Sequence, residues 1–134
     1  MKKLLFIAAL FSTLLVACNS GAPLKNNWKM VEFLGSPIDN EVFNVKTPAF
    51  NLNPDEGTFG GNNGCNQVNG KLEVDGNKIS MEVLMGTRMF CNGVPEQEVD
   101  AKISEVDSYK IKGDKLFLFN GDMTLFVFEL VEEE

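Results

Sequence analysis

Three cysteines carry the most specific chemistry in this sequence, because a thiol can be acylated, oxidised or bound to a metal: Cys18, Cys65 and Cys91. The first follows an apolar run over residues 4–16, which itself begins behind Lys2 and Lys3. That layout is typical of a secretory signal segment. The run is shorter than the roughly 20 apolar residues that a membrane-spanning helix needs. The sequence therefore predicts a cleaved leader at residues 1–17 rather than a transmembrane helix.

The segment Leu15-Val16-Ala17-Cys18 resembles the lipobox of bacterial lipoproteins. In those proteins the cysteine thiol is acylated, and cleavage leaves this cysteine as the first residue. The resemblance implies that Cys18 bears a lipid and that the membrane of the bacterial cell envelope is a partner. In some bacteria an aspartate directly behind the lipidated cysteine retains lipoproteins at the inner membrane. This chain has Asn19 at that position, so we expect its anchor to lie in the outer membrane. An ordinary secreted protein with an incidental Cys18 is the alternative.

Cys65 and Cys91 are the two cysteines that remain once Cys18 carries a lipid. An exported protein lies in a compartment where disulfides persist, and within the chain these two can pair only with each other. Closing that loop would stabilise the fold by about 3 to 4 kcal/mol. Two buried free thiols are the alternative, since cysteine is also a common packing residue.

The sequence contains no histidine, which excludes the Ser-His-Asp and Cys-His arrangements of nucleophilic catalysis and the histidine-ligated zinc and copper sites. Chemistry based on a pair of carboxylates survives in principle, because there are 19 acidic residues and glycoside hydrolysis needs only two of them at one bond. No spacing distinguishes such a pair from a solvated surface. We therefore predict a protein that is not an enzyme and uses no cofactor or metal, with a carboxylate-dependent hydrolase as the alternative.

Charge and length limit the partners and the number of domains. Removal of residues 1–17 takes away two lysines, which changes the formal net charge from −7 to −9 and leaves 117 residues. Such a chain repels phosphate backbones, so no nucleic acid partner is expected. The length suits one domain. We expect residues 18–27 to form the lipidated cysteine and its tether, 28–131 the folded domain, and 132–134 a solvated acidic tail.

The segment from Gly60 to Gly70 is rich in glycine and asparagine, and it has two interpretations. Its composition suits a constrained structural loop, because these residues tolerate left-handed backbone angles and asparagine side chains bind loose backbone donors. It could instead present a polar recognition surface for a peptide or glycan. That surface would consist of Asn62, Asn63, Asn66 and Gln67. Turn chemistry already explains the composition, which favours the structural interpretation.

Two further features have a functional and a structural interpretation. Arg88 is the only arginine, and it could bind a carboxylate ligand or form an ion pair within the chain, for which Glu98 is a candidate. Met81, Met85 and Met89 recur at every fourth position and, with the cysteines, could suggest a soft-metal site. They span a predicted strand end and a loop, so no common face is expected. We predict that they fill the core.

Hydrophobic patterning predicts a mainly antiparallel sheet. Strands are expected at residues 28–34, 49–53 and 56–60, followed by a hairpin of residues 71–74 and 77–81 around Asp75-Gly76. A three-stranded meander then covers residues 109–112, 115–119 and 123–131, with turns at Gly113-Asp114 and Asn120-Gly121. In the last strand both faces are apolar. This indicates a closed or strongly curled sheet.

One helix is expected between the hairpin and the meander. Pro95, Glu96 and Glu98 suit a helix start, since proline fits the first turn and carboxylates complement the positive end of the helix dipole. Val99, Ile103 and Val106 then form one apolar stripe. The sequence therefore predicts an α+β fold: a mainly antiparallel, curled or barrel-like sheet with one helix packed on it.

Several of these motifs together resemble the META domain, the family of HslJ-type heat-shock lipoproteins. They are the Gly64-Cys65-Asn66 core with Gly70 behind it, Thr87-Arg88-Met89-Phe90-Cys91, the helix around Glu98 and the closing meander. Phe90 departs from the family, which commonly has a small residue before this cysteine. The resemblance covers nearly all of residues 26–131. It implies a compact barrel-like sheet with a helix, an envelope location and, in some members, a link to stress or secretion. The family has no agreed biochemical activity, so the resemblance supplies no catalytic residues to transfer.

The function expected from the sequence is a stress-related binding or assisting module of the envelope. It would bind an envelope protein or peptide through an exposed loop or sheet edge. A purely structural lipoprotein is a second alternative beside the hydrolase.

Overall fold

Nine β-strands and one α-helix make up residues 21–132, the part of the chain that the computed structural model describes. They are β1 (Asn26–Phe33), β2 (Ser36–Pro37), β3 (Ala49–Asn53), β4 (Thr58–Asn62), β5 (Gln67–Asp75), β6 (Lys78–Gly86), α1 (Glu96–Ile103), β7 (Ser108–Lys112), β8 (Lys115–Asn120) and β9 (Met123–Leu130). The predicted leader, Cys18 and the last two glutamates lie outside the described residues. Within residues 21–132, no helix has the length and apolar character needed to cross a bilayer.

The strands form one antiparallel sheet that closes on itself. They follow one another in chain order from β3 to β9, β1 pairs with β3 on one side, and β9 pairs with β1 on the other. Closure pairs β9 along both edges, with β1 and with β8, and its residues 125–128 are all buried. The predicted α+β fold, with a mainly antiparallel barrel-like sheet and a single helix, is confirmed for the described residues. β2 is a two-residue addition to β1 that the sequence did not predict.

The hairpin of β5 and β6 is longer than its sequence pattern predicted. Burial alternates along both strands, with Val68, Leu72, Ile79 and Met81 inside the barrel. The pairing extends from Asp75↔Lys78 at the turn to Val68↔Gly86 at the other end. Gly70 interrupts the apolar pattern of β5, and a register shift at Asn69/Gly70 breaks the alternation of β6 near Leu84. The sequence pattern therefore ended too early.

Helix α1 packs on β6 beside a weak seam in the barrel. β6 pairs with β7 only at Lys78↔Ser108, whereas every other pair of consecutive strands from β3 to β9 shares several residue pairs. Val99 and Ile103 are buried on the inner face of the helix, as their spacing predicted. The helix ends at Ile103, one turn earlier than the predicted stripe, and Val106 is buried just beyond it.

The folded body begins before the predicted boundary at residue 28. Leu24 is buried in the core, and the indole Nε1 of buried Trp28 donates to the Leu24 carbonyl oxygen at 2.9 Å. The Ala22 N–H donates to the Gly113 carbonyl oxygen at 3.0 Å, beside a bridge between Gly21 and Gly113. Residues 21–27 are therefore part of the body rather than a tether, because Leu24 contributes to the core that Trp28 anchors.

The barrel has two ends that matter for function. Gly21 lies at the end that carries the turns around Gly76 and Gly113, which we call the entry end. β6 runs from Lys78, next to the turn at Gly76, over nine residues to Gly86. At about 3.3 Å per residue, Gly86 lies roughly 26 Å away, at what we call the far end.

Candidate functional site

A groove of about 690 Å³ opens at the far end of the barrel. One wall is formed by the last residues of β6 and by the extended segment 87–90 that follows. The other wall is the first half of α1, with Glu96, Gln97 and Asp100. Asn63 and Asn66 contribute to its floor. The groove thus lies beside the weak seam, where β6 and α1 diverge.

The strand wall of the groove carries a row of exposed apolar side chains, which we call the apolar lip. Their exposed fractions are 61% for Leu84, 72% for Met85, 56% for Met89 and 89% for Phe90. Side chains of this size are usually buried, and contiguous exposure of them marks interaction sites. Phe90, the residue that departs from the family pattern, is the most exposed of the four.

The prediction that the three methionines fill the core is wrong for two of them. Met81 is buried, but Met85 and Met89 are exposed on the lip. The register between β5 and β6 shifts at Asn69/Gly70, so that Leu84 is an extra residue in β6. Such a bulge shifts the inside–outside alternation by one position, and Met85 therefore leaves the inner face that Met81 occupies.

The asparagine side chains proposed for a recognition surface mostly form hydrogen bonds within the fold. Asn63 is 1% exposed, and its Nδ2 donates to both Oδ atoms of Asp100 at 3.0 Å. Its Oδ1 accepts hydrogen bonds from the backbone N–H groups of Cys65 and Asn66 at 3.2 and 2.8 Å. Asn62 Oδ1 accepts from the N–H of Gly64 at 3.0 Å. These bonds shape the loop and leave the Asn63 side chain no spare hydrogen-bonding group.

Asn66 holds the strand wall in place. It is 7% exposed, its Oδ1 accepts from the Met89 N–H and the Thr87 hydroxyl at 2.6 and 2.9 Å, and its Nδ2 donates to the Met89 carbonyl oxygen at 3.3 Å. Gln67, by contrast, is exposed and contacts Thr87 through its backbone. One buried amide therefore fixes the backbone of the segment that carries the lip.

The disulfide between Cys65 and Cys91 secures the other end of the same segment. The two sulfurs are 2.04 Å apart and the Cα atoms 5.8 Å apart. Both cysteines belong to the buried core. Residues 87–91 are thus tied to the 63–66 loop twice, once by Asn66 and once by this bond.

The ion pair proposed between Arg88 and Glu98 is not formed. Within residues 21–132 the ion pairs are Lys25–Asp55, Lys71–Glu73 and Lys102–Glu105. At about 100° per residue, Glu98 lies on the side of α1 opposite to Glu96 and Asp100. Arg88 lines the groove with those two carboxylates, whereas Glu98 does not line it.

The groove carboxylates lie on one wall. Glu96 and Asp100 are one helical turn apart on α1, and among the residues that line the groove no acidic side chain faces them from the strand wall. Hydrolysis of a glycoside needs carboxylates on both sides of the scissile bond, so this arrangement suits charge recognition better. Within the described residues, no group of three acidic or cysteine side chains could hold a metal.

The environment of Asp100 makes the free energy of unfolding depend on pH. Burial raises the pKa of its carboxyl above the ordinary value of 3.8, the hydrogen bonds from Asn63 oppose this, and the Glu96 carboxylate adds to it. The native state therefore binds a proton more tightly than the unfolded state does, and the free energy of unfolding falls as pH rises from the ordinary pKa through the raised one.

We expect the Asp100→Asn variant to lose less stability than the wild type between about pH 4 and about pH 7, because an amide has no charge to desolvate. Urea unfolding at both pH values, followed by the fluorescence of buried Trp28, measures this difference. Glu98→Gln is the matched control, since it removes one carboxylate from the exposed face of the same helix. An Asp100→Asn variant with the pH dependence of the wild type would contradict the assignment.

Comparison with known proteins agrees with the fold. A family model for the META domain matches residues 22–132. The structure is similar to a crystal structure of a DUF4847 family protein from Bacteroides vulgatus, with a TM-score of 0.60 and 17% identity over 83% of this chain and 96% of that one. It is also similar to the NMR structure of a protein from Burkholderia xenovorans, with a TM-score of 0.59 and 16% identity over 81% of this chain and 83% of that one.

None of the curated proteins compared with this chain matches it. At 16 to 17% identity, the two solved structures show a shared fold and nothing about activity. The family model is the more specific finding, because it spans almost every described residue and includes the loop, the disulfide and the groove. The chain therefore belongs to the META domain family.

Proposed function

We propose that this chain is a non-enzymatic lipoprotein of the bacterial cell envelope that binds exposed segments of other envelope proteins in its groove. The single observation that carries the proposal is the apolar lip, four large exposed side chains on a backbone that is fixed at both ends. Fixing the wall in advance lowers the entropy that binding would otherwise lose. A purely structural protein would have no need for such a surface.

The position of the groove supports a membrane-anchored role. With a lipid on Cys18, the three residue steps to Gly21 span at most about 11 Å, so the entry end would face the membrane closely. The groove lies at the far end and would point away from the lipid surface. We place the anchor in the outer membrane, in keeping with Asn19 behind the lipidated cysteine.

A link to stress follows from the kind of surface that the groove offers. Heat exposes apolar segments of partly unfolded proteins, which then aggregate. An apolar lip with a polar floor is suited to hold such segments for a time. The one-sided placement of Glu96 and Asp100 supports this binding role over the carboxylate-dependent hydrolase.

Site-specific cross-linking in living cells tests the proposal. We expect benzoylphenylalanine at Phe90 of the native, lipid-bearing chain to cross-link to envelope proteins, with a yield that rises after heat stress. The control position is Val131, which is 40% exposed and follows the last strand at the entry end. Equal yields at Phe90 and Val131, or no reproducible product at Phe90, would exclude the groove as a binding site.

The anchor is tested separately by mass spectrometry of the protein recovered from cells. The expected species begins at Cys18 and carries acyl groups. A chain that still begins at Met1, or an unmodified Cys18, would overturn the anchoring and the envelope location while leaving the groove experiment interpretable.

A further inference from the structure

The outer edge of β6 is open along the groove. The Ile79 N–H donates to the Asp107 carbonyl oxygen at 3.2 Å on the side that faces β7, and strand alternation places the backbone groups of Val83 on that same side. The Thr87 N–H donates to Gln67 on the β5 side, so Gly86 also faces outward. Beyond Lys78, no described strand pairs with this edge.

We propose that the groove takes an extended segment of another protein, which adds to the outer edge of β6 as an extra antiparallel or parallel strand. This inference rests on the proposed binding function and names the class of partner. Main-chain hydrogen bonds to Val83 and Gly86 would supply affinity without dependence on sequence, and alternate side chains would supply selectivity. Stress partly unfolds proteins, and their unfolded segments present unpaired backbone N–H and C=O groups.

The groove lies where an added strand would lie. A paired strand lies about 4.8 Å from its neighbour, and the groove occupies the space beside residues 83–86, between β6 and the wall of α1. The side chains of Met85, Met89 and Phe90 border that space. An occupant with apolar residues at alternate positions would therefore cover the lip while its backbone pairs with β6.

The charges that line the groove favour a different protein, rather than a second copy of this chain, as its occupant. Glu96 and Asp100 line the helix wall and Arg88 lines the strand wall, and removal of residues 1–17 leaves a formal net charge of −9. Two copies would repel each other, whereas a segment with a lysine or arginine facing α1 would be attracted. The expected occupant is thus an extended, basic, apolar segment of a different protein.

Peptide binding to the purified mature chain with its disulfide intact tests the inference. The probe is a heptapeptide with valine at alternate positions and one central lysine. Three matched probes keep its length: one is methylated on the backbone nitrogens of the valines, one on those of the intervening residues, and in the third glutamate replaces lysine. We expect one of the two methylations to weaken binding about tenfold or more, since only one alternate set of donors faces the strand edge. The glutamate probe is expected to bind more weakly as well.

Amide hydrogen exchange locates the contact. Bound peptide is expected to slow exchange at Val83 and Gly86 about tenfold or more, and to leave Met85, whose N–H faces β5, unchanged. Phe90→Ser should weaken binding, and Met123→Ser, which removes an apolar side chain that is 62% exposed outside the groove, should not.

Several outcomes would overturn strand addition. Undiminished binding of both methylated probes, or unchanged exchange at Val83 and Gly86, would mean that the groove binds side chains alone. The proposed function would survive, because cross-linking at Phe90 is independent of strand addition. Failure of the valine–lysine probe to bind at millimolar concentration, or a dimer of this chain that already protects Val83, would also refute the inference.

Discussion

Replacing Gly70 by alanine is expected to lower the free energy of unfolding by about 3 kcal/mol or more, which is a large part of the stability of a small domain. A Cβ atom at this position would lie 2.0 Å from the Glu82 carbonyl oxygen and 2.4 Å from Cε1 of buried Phe59. The first neighbour is backbone of the paired strand β6 and the second is a core ring. Neither can move without breaking the pairing or the packing next to the bulge.

Urea unfolding monitored by Trp28 fluorescence measures this loss. Trp28 is the only tryptophan in the chain and is 1% exposed, so its emission reports the core directly. Gly76→Asn is the matched control. Gly76 has a φ of +59°, a Cβ atom there would meet no other atom within 4 Å, and asparagine tolerates this backbone region, so the change should stay within about 1 kcal/mol. An alanine at Gly70 with wild-type stability would contradict the close packing between β5 and β6.

Loss of the disulfide is expected to lower the free energy of unfolding by about 3 to 4 kcal/mol, because the bond joins residues 26 positions apart and restricts the unfolded chain. The double variant Cys65→Ala with Cys91→Ala should lose at least as much as the reduced wild type, because it also removes two buried sulfur atoms. Urea unfolding with and without a reductant measures it.

The double variant is its own control for side effects of the reductant, since a reductant should not destabilise it further. A wild type whose unfolding is insensitive to reductant would contradict the bond between Cys65 and Cys91. We expect the hydrogen bonds between Asn66 and Met89 to remain in the reduced protein. We therefore expect the lip to persist with faster amide exchange, and peptide binding to weaken rather than disappear.

Much of the barrel could be predicted because its strands and turns are determined by residues that are close together in the sequence. Alternation of apolar residues, Asp75-Gly76 and the turns of the meander specify strands and hairpins with only their neighbours in sequence. The two apolar faces of the last strand indicate a closed or strongly curled sheet, and β1 pairs with β9 to close it. The start of α1 behind Pro95 followed from the chemistry of helix ends.

The candidate site was harder to predict because its parts come from distant segments. The exposure of Met85 depends on a bulge against β5, and a one-residue shift of that register would have placed Met85 inside. The position of Glu98 depends on which side of α1 faces the groove, so the proposed pair with Arg88 had no local signal for or against it. The asparagine composition of the 60–70 loop indicated turn chemistry but not the bond from Asn63 to Asp100.

By itself the sequence determined the α+β class, the hairpin order, the family resemblance and the candidate partners of the disulfide, since periodicity, turn residues and a count of cysteines are properties of the chain. Only the tertiary structure decided that residues 21–27 join the core, that β6 keeps an open edge, and that the apolar lip faces the carboxylates of α1. Those features depend on which groups come into contact when the barrel closes. The contacts concerned, of β1 with β9 and of α1 with β6, join segments that are separated in the sequence.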